Sequence, residues 1–218
     1  MSCQKDKKEA LVADRQQEII RVCETLYERM EYEEINIKEI AKSTSFCRSN
    51  IYNYYETKEE IFLDILKKEY LLWMEDMEAE MAADERRGRR SYCRILTETV
   101  CRHPVLLKLA SVHYSTIEKN CSLEKLTEFK RAMLPFHQRM QDGLGRYFPG
   151  ASEKKKERFA FLMMSLAQGI YSMTHLSAKQ LEAMRMAEPG YDCPGFETLF
   201  FEALYTLSSS LEEGEESR

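Results

Sequence analysis

Between Cys47 and Lys58 the chain reads C-R-S-N-I-Y-N-Y-Y-E-T-K, a run dense in hydrogen-bonding side chains. Arg presents a planar fork that fits the O6/N7 edge of guanine, Asn does the same for adenine, and Ser, Tyr and main-chain N–H groups hold phosphate oxygens. Read as a helix over Arg48 to Tyr54, the stretch turns Arg48, Ser49, Asn50, Tyr52, Asn53 and Tyr54 outward and leaves Phe46, Ile51 and Tyr55 inward. Lys58 adds a cation beside the amide donors of the next helix start, which already favour an anion. The chemistry suggested is recognition of duplex DNA. A small helical bundle with polar turns would carry the same residues, because helix-turn-helix geometry also occurs in proteins that do not touch DNA.

A reading helix needs neighbours that fix it, and the flanking sequence supplies start signals for them. Asn36 with Glu39 forms a capping-box pattern, and Ile35 and Ile40 occupy the hydrophobic-staple positions, so a helix is expected from Ile37 with Ile37, Ile40 and Ala41 buried. Ser43 to Phe46 interrupt the periodicity over the length of a helix-turn-helix turn. Thr57 with Glu60 repeats the capping box, so a third helix opens at Lys58 and continues through Ile61, Phe62, Ile65, Leu66, Trp73 and Met77 toward Met81. Ahead of these, Ala10 to Met30 place Ile19, Val22, Cys23, Leu26 and Met30 on one apolar stripe that would cover the pair. Residues 1–9 read as a flexible arm.

The run I-A-K-S-T-S-F-C-R-S-N-I-Y-N-Y-Y-E-T-K-E-E-I-F resembles, position by position, the DNA-binding signature of the tetracycline-repressor (TetR) family of transcriptional regulators, with Ile51 to Glu59 its most diagnostic part. The resemblance spans residues 10–66. It implies a DNA-contacting set of Lys38, Cys47, Arg48, Ser49, Asn50, Tyr52, Asn53, Tyr54 and Lys58. Two positions depart from the family pattern: Ser45 stands where the family has Gly, and Cys47 where it often has Ser. Cys is a poor N-cap, at a cost of about 1 kcal/mol to the short helix. A thiol at a helix start also raises the question of oxidant sensitivity, since amide dipoles lower its pKa.

Composition agrees with an all-α protein. The 218 residues are 44% hydrophobic and 32% charged, with only 8 Gly and 5 Pro. A net charge of −5 does not advertise a nucleic-acid binder. The distribution matters more: Glu28, Glu31, Glu33 and Glu34 cluster after the first helix, while Lys5, Lys7, Lys8, Lys38, Lys42, Arg48 and Lys58 can share one surface. Seven Cys form no C-x-x-C pair and suggest reduced thiols, residues 1–10 lack the apolar core of a signal peptide, and no apolar run approaches the roughly 18 residues of a membrane span. The expectation is a cytoplasmic protein with no membrane partner.

Beyond the third helix the pattern stays helical. A charged break at 84–90 is followed by segments Ser91 to His103, Val105 to Glu118, one from Ser122 kinked at Pro135, one from Ser152 to His175, and a last helix Phe196 to Leu211 before an acidic, disordered end. No H-E-x-x-H, P-loop, G-x-G-x-x-G or G-x-S-x-G motif occurs, and the four His are scattered, so no enzyme, metal or cofactor is expected. The organisation expected is a helix-turn-helix domain at 1–57 followed by a helical bundle at 58–218 for effector binding and dimerisation. Trp73, Met77, Tyr92, Tyr114, Phe129, Met133, Phe136, Met140, Met163 and Tyr171 suit an adaptable apolar pocket, and equally an ordinary core. Phe159, Leu162, Met163, Leu166, Leu199, Phe200, Leu204 and Leu207 make the last two long helices apolar on too many sides for one burying surface. The resemblance implies that those helices pair with their mates in a homodimer, and that a small-molecule effector releases a repressor from a palindromic operator. The other reading is a helical interaction or enzyme domain that shares only the shape.

Overall fold

The computed structural model describes the backbone of residues 2–212 and the side chains of residues 10–212. The acidic end at 213–218 and the side chains of Lys5, Lys7 and Lys8 lie outside the described residues. Every regular element among the described residues is helical. In order these are α1 (Ser2–Tyr27), α2 (Ile37–Lys42), α3 (Arg48–Ile51), α4 (Lys58–Ala83), α5 (Arg89–Cys101) and α6 (Pro104–Val112). A π-turn (His113–Ile117) and a 3-10 turn (Glu118–Asn120) lead into α7 (Leu123–Ala132), α8 (Leu134–Tyr147), α9 (Glu153–Thr174), α10 (Ala178–Ala187), α11 (Phe196–Leu207) and α12 (Ser209–Glu212).

The chain packs as two compact units. The first holds residues up to Lys68 together with 112–132, and the second holds 69–111 and 133 onward. The first unit therefore takes in the start of α4 and all of α7, whereas the sequence places the boundary between 57 and 58. In its core Ile19 and Cys23 of α1, Ile40 of α2, Ile51 of α3 and Phe62 of α4 are fully buried. Such burial is worth about 1.5–3 kcal/mol for each large apolar side chain. The rings of Tyr27 and Tyr32 close on Phe62 at 5.1 and 4.8 Å.

The second unit is built around Tyr92 of α5, which is fully buried with Tyr147, Phe148 and Phe159 around its ring at 5.1, 5.4 and 6.1 Å. Trp73 Nε1 donates to Thr99 Oγ1 at 3.0 Å, and Thr99 in turn donates to the Ile95 carbonyl at 2.7 Å, so the buried polar atoms are satisfied. Asp84 organises the break before α5: it accepts from Ser91 Oγ (2.6 Å), Tyr147 Oη (2.8 Å) and the amides of Arg86 and Arg87, and so holds Arg87 at φ 45.

Several expected boundaries move. Helix α1 begins at Ser2 where a flexible arm is expected, in keeping with the Lys, Glu and Ala content of that stretch. The reading helix ends at Ile51 instead of Tyr54; the amides of Tyr54 and Tyr55 both return to the Ile51 carbonyl. The segment from Val105 loses α-helical geometry at His113. The expected kink at Pro135 is a break at Met133, with Pro135 in the first turn of α8, where its missing N–H costs nothing. The last helix breaks at Ser208. Helix α10, started by a Ser177–Gln180 capping box, has no counterpart in the sequence reading and buries none of its residues.

Candidate nucleic-acid interface

Asn36 Oδ1 accepts from the amides of Lys38 and Glu39 at 3.0 and 3.1 Å and so starts α2, although Glu39 completes no reciprocal bond and pairs with Lys42 instead. At α3, Cys47 has the extended geometry of an N-cap (φ −75, ψ 164) but makes no cap bond. Its thiol turns to Ser49 Oγ at 3.0 Å, and that bond is the main cause holding its pKa below the usual thiol value.

With Ile51 as the buried anchor, Lys38, Cys47, Arg48, Ser49, Asn50, Tyr52 and Asn53 are all exposed. The side chains of Asn50 and Asn53 make no hydrogen bond among the described residues, which leaves two amides free for base edges. Arg48 is held one turn along its helix: Nη2 donates to Tyr52 Oη at 2.9 Å, with the guanidinium 5.5 Å from the Tyr52 ring centroid. A concavity of about 360 Å³ lined by Asn36, Ile37, Lys38, Arg48, Tyr52 and Lys58 brings four of the expected contact residues together from separate parts of the chain.

Two of the expected contacts are otherwise engaged. Tyr54 is half-buried against Phe46, with ring centroids 6.4 Å apart. Lys58 Nζ donates to the Tyr32 carbonyl at 2.6 Å and lies 4.2 Å from the Tyr32 ring centroid, which leaves two of its three protons for a phosphate. Sequence reasoning missed Arg15 and Glu18 of α1, which bond to the turn at Ser45. It also missed a buried polar lock behind the reader. Tyr55 Oη donates to Asp64 at 2.8 Å, Lys125 and Lys67 reach the same carboxylate at 2.9 and 3.0 Å, and Glu60 accepts from Ser122 Oγ at 2.6 Å. Burial pushes Asp64 up, but the bonds from Lys125 and Lys67 outweigh it and hold its carboxyl below the usual range.

The model of the tetracyclin repressor-like C-terminal domain matches residues 67–212. The chain belongs to the tetracycline-repressor (TetR) family of transcriptional regulators. That is a family of regulators, not of enzymes. The solved structure of Thermus thermophilus FadR, a TetR-family transcriptional repressor in complex with lauroyl-CoA, has a TM-score of 0.59 at 20% identity over 94% of this chain and 96% of that one. The fatty acid degradation regulator FadR from Bacillus halodurans follows at 0.52, 13%, 94% and 97%. A protein from Mesorhizobium loti assigned to the TetR-family regulators gives 0.50, 16%, 92% and 96%. At these identities the likeness is one of fold. No curated protein matches the chain by sequence. No helix among the described residues is long and apolar enough to cross a membrane.

Of the residues the sequence offers for a TetR-family effector pocket, Trp73, Met77, Tyr92, Met133, Phe136, Met140 and Met163 are buried in the second unit. Phe129 is buried in the first, its ring 5.6 Å from that of His113. Tyr114 is a correction: it is 56% exposed, with Lys130 5.3 Å from its ring centroid. Tyr171 sits half-buried near the end of α9, stacked on His175 at 3.8 Å. The expected dimer set also divides. Phe159, Met163, Phe200 and Leu204 are buried within the single chain, Phe159 beside Tyr92 and Phe200 stacked on Phe196. Leu162, Leu166, Leu199 and Leu207 remain half-exposed, and Phe161 and Met173, absent from the expected set, are each 74% exposed.

Proposed function

We propose that this protein is a ligand-responsive repressor of the cytoplasm that reads a near-palindromic operator as a homodimer. The observation that carries the reading is the outward face of α3 and the turn after it: Arg48, Ser49 and Asn50 on a short helix anchored by Ile51, and Asn53 just beyond it, are exposed beside a concavity lined by Arg48, Lys38 and Lys58. Base-reading groups set next to phosphate-holding cations are what a duplex requires. The half-exposed apolar residues of α9 and α11 are a surface that a two-fold partner would bury, and two-fold proteins mirror their half-sites in DNA.

The effector is an apolar or aromatic small molecule bound within the second unit, where the buried Met and aromatic side chains are of the kind that can re-pack around it. FadR of Thermus thermophilus holds lauroyl-CoA, so long-chain acyl thioesters are the first class to try. Helix α4 contributes residues to both units and is the segment through which binding would lower operator affinity, with the reciprocal effect of DNA on effector affinity that linkage demands. The test is a mobility-shift assay against DNA flanking the protein's own gene, with and without lauroyl-CoA. A retarded band released by the thioester is expected. Absence of any sequence-selective band would overturn the DNA reading, and a band indifferent to hydrophobic ligands would overturn the effector.

A further inference from the structure

Helix α3 has four residues and no side-chain cap, so it cannot hold its own direction; one turn of helix takes its order from what flanks it. On its N-terminal side the flank is the turn at Ser43–Phe46, and that turn is gripped from α1. Glu18 Oε1 accepts the main-chain N–H of Ser45 at 2.7 Å. Arg15 Nη1 donates to Ser45 Oγ at 3.0 Å and pairs with Glu18 Oε2 at 3.3 Å. The Arg15 guanidinium lies 5.3 Å from the Phe46 ring centroid, and Phe46 packs against Tyr54 just beyond α3. The Ser45 amide bond is the largest cause holding the Glu18 carboxyl below its ordinary value, ahead of the Ser45 side chain.

The backbone at Ser45 needs no glycine: among the described non-glycine residues only Arg87 has a positive φ. What Ser45 adds is a hydroxyl that Arg15 can hold. The pair is partly open to solvent, with side chains 41% and 25% exposed for Arg15 and Glu18, and ion pairs so placed add little to global stability. Their leverage is geometric, because a base contact made through a bidentate fork tolerates only about 0.5 Å of misplacement.

We propose that Glu18, supported by Arg15, is a positioning residue for DNA reading: it pins the Ser45 amide and so fixes the angle at which α3 presents Arg48 and Asn50 and the turn after it presents Asn53. The inference rests on the DNA-binding reading above and adds to it a determinant that touches no base.

The full-length chain is compared as wild type, Glu18→Ala and Glu18→Gln. The glutamine keeps an oxygen acceptor for the Ser45 amide, while the charge and the oxygen that pairs with Arg15 are lost. Affinities are measured at one salt concentration for a duplex selected by the wild type from a random pool and for a scrambled duplex of the same composition. Glu18→Ala is expected to lower the selected-to-scrambled ratio about tenfold, the effect of one misplaced base contact, with melting temperature unchanged. Glu18→Gln retains the wild-type ratio. Hydrogen exchange at the Ser45 amide gives a readout that needs no DNA: Glu18→Ala speeds it about tenfold or more, and Glu18→Gln leaves it protected. An unchanged ratio in Glu18→Ala overturns the proposal, as does a glutamine variant that falls as far as the alanine one. If the wild type selects no duplex, the DNA reading fails by itself, and unchanged exchange in Glu18→Ala would remove the clamp as well.

Discussion

Asn50 and Asn53 stand free while Tyr54 and Lys58 are already engaged, and this division orders the DNA face residue by residue. Arg48→Ala or Asn50→Ala should cost about 1–3 kcal/mol against the preferred duplex and relax selectivity at one base position, read by competition titration. Lys58→Ala should weaken all duplexes alike and lower the slope of log affinity against log salt by about one. Equal loss on every sequence for Asn50→Ala would remove it from base reading. Cys47 gives a stability prediction of opposite sign. Its backbone already has N-cap geometry without a cap bond, so Cys47→Ser should stabilise the fold by about 1 kcal/mol in urea titration. A lower midpoint would mean that the thiol's contact with Ser49 matters more than the missing cap. The sequence could nominate these positions because residue type alone suggests their chemistry. Arg15 and Glu18 were not, since an i,i+3 pair on a charged helix looks the same whether it meets solvent or a turn thirty residues away.

Helices were legible where their signals are local. Asn36, Thr57, Ser122 and Ser152 marked the starts of α2, α4, α7 and α9, and Gly88 and Gly195 stand just before α5 and α11. Helix α10 escaped because it buries nothing and so has no apolar period to detect, although Ser177 and Gln180 cap it. The π-turn at His113–Ile117 escaped for a different reason: an extra residue per turn is set by packing, not composition. It places His113 in the core beside Glu118 at 2.8 Å, where burial, opposed by that carboxylate, pushes its pKa down to about 4. The unfolded value is 6.5, so between these limits the unfolded chain binds the proton and the folded one does not. Stability from this group is therefore intact above pH 6.5 and lost as pH falls toward 4, by about 3 kcal/mol across the window. Melting temperature followed from pH 7.5 to 4 should fall less for His113→Gln than for the wild type; parallel curves would show that other groups govern acid stability. On the same unit, Lys125→Met removes one of two ammonium partners of the buried Asp64 and should cost about 1–3 kcal/mol, because Lys67 and Tyr55 stay in place. A change under 0.5 kcal/mol in urea would show the lock between α4 and α7 to be dispensable.

At the scale of the whole molecule the sequence pointed to the right class of architecture, but it could not reveal that α7 packs with the helix-turn-helix unit, since contacts such as Lys125 to Asp64 link residues some sixty positions apart. Nor could it choose between the faces of α9, where nearly every turn offers an apolar residue. The chain itself consumes Phe159, Met163 and Ala167 on one face, and leaves Phe161 and Met173 outward with Leu162, Leu166 and Ile170 half-covered between them. Phe161, Ser165, Gly169 and Met173 recur every four residues along the outward row, and a Cβ at Gly169 would meet nothing within 4 Å in the single chain. A second copy seated there would bury the row twice over, since in a two-fold interface each residue acts on both sides. Burying a Phe or Met side chain is worth about 1.5–3 kcal/mol, so Phe161→Asp with Met173→Asp should weaken self-association by several kcal/mol. Light scattering coupled to gel filtration should then show the wild type as a dimer and the double variant as a monomer with its helical circular dichroism retained. The variant should also bind a single half-site as weakly as the full palindrome. A wild type that elutes as a monomer at micromolar concentration would remove the dimer altogether, and a double variant that stays dimeric would move the interface off this face of α9.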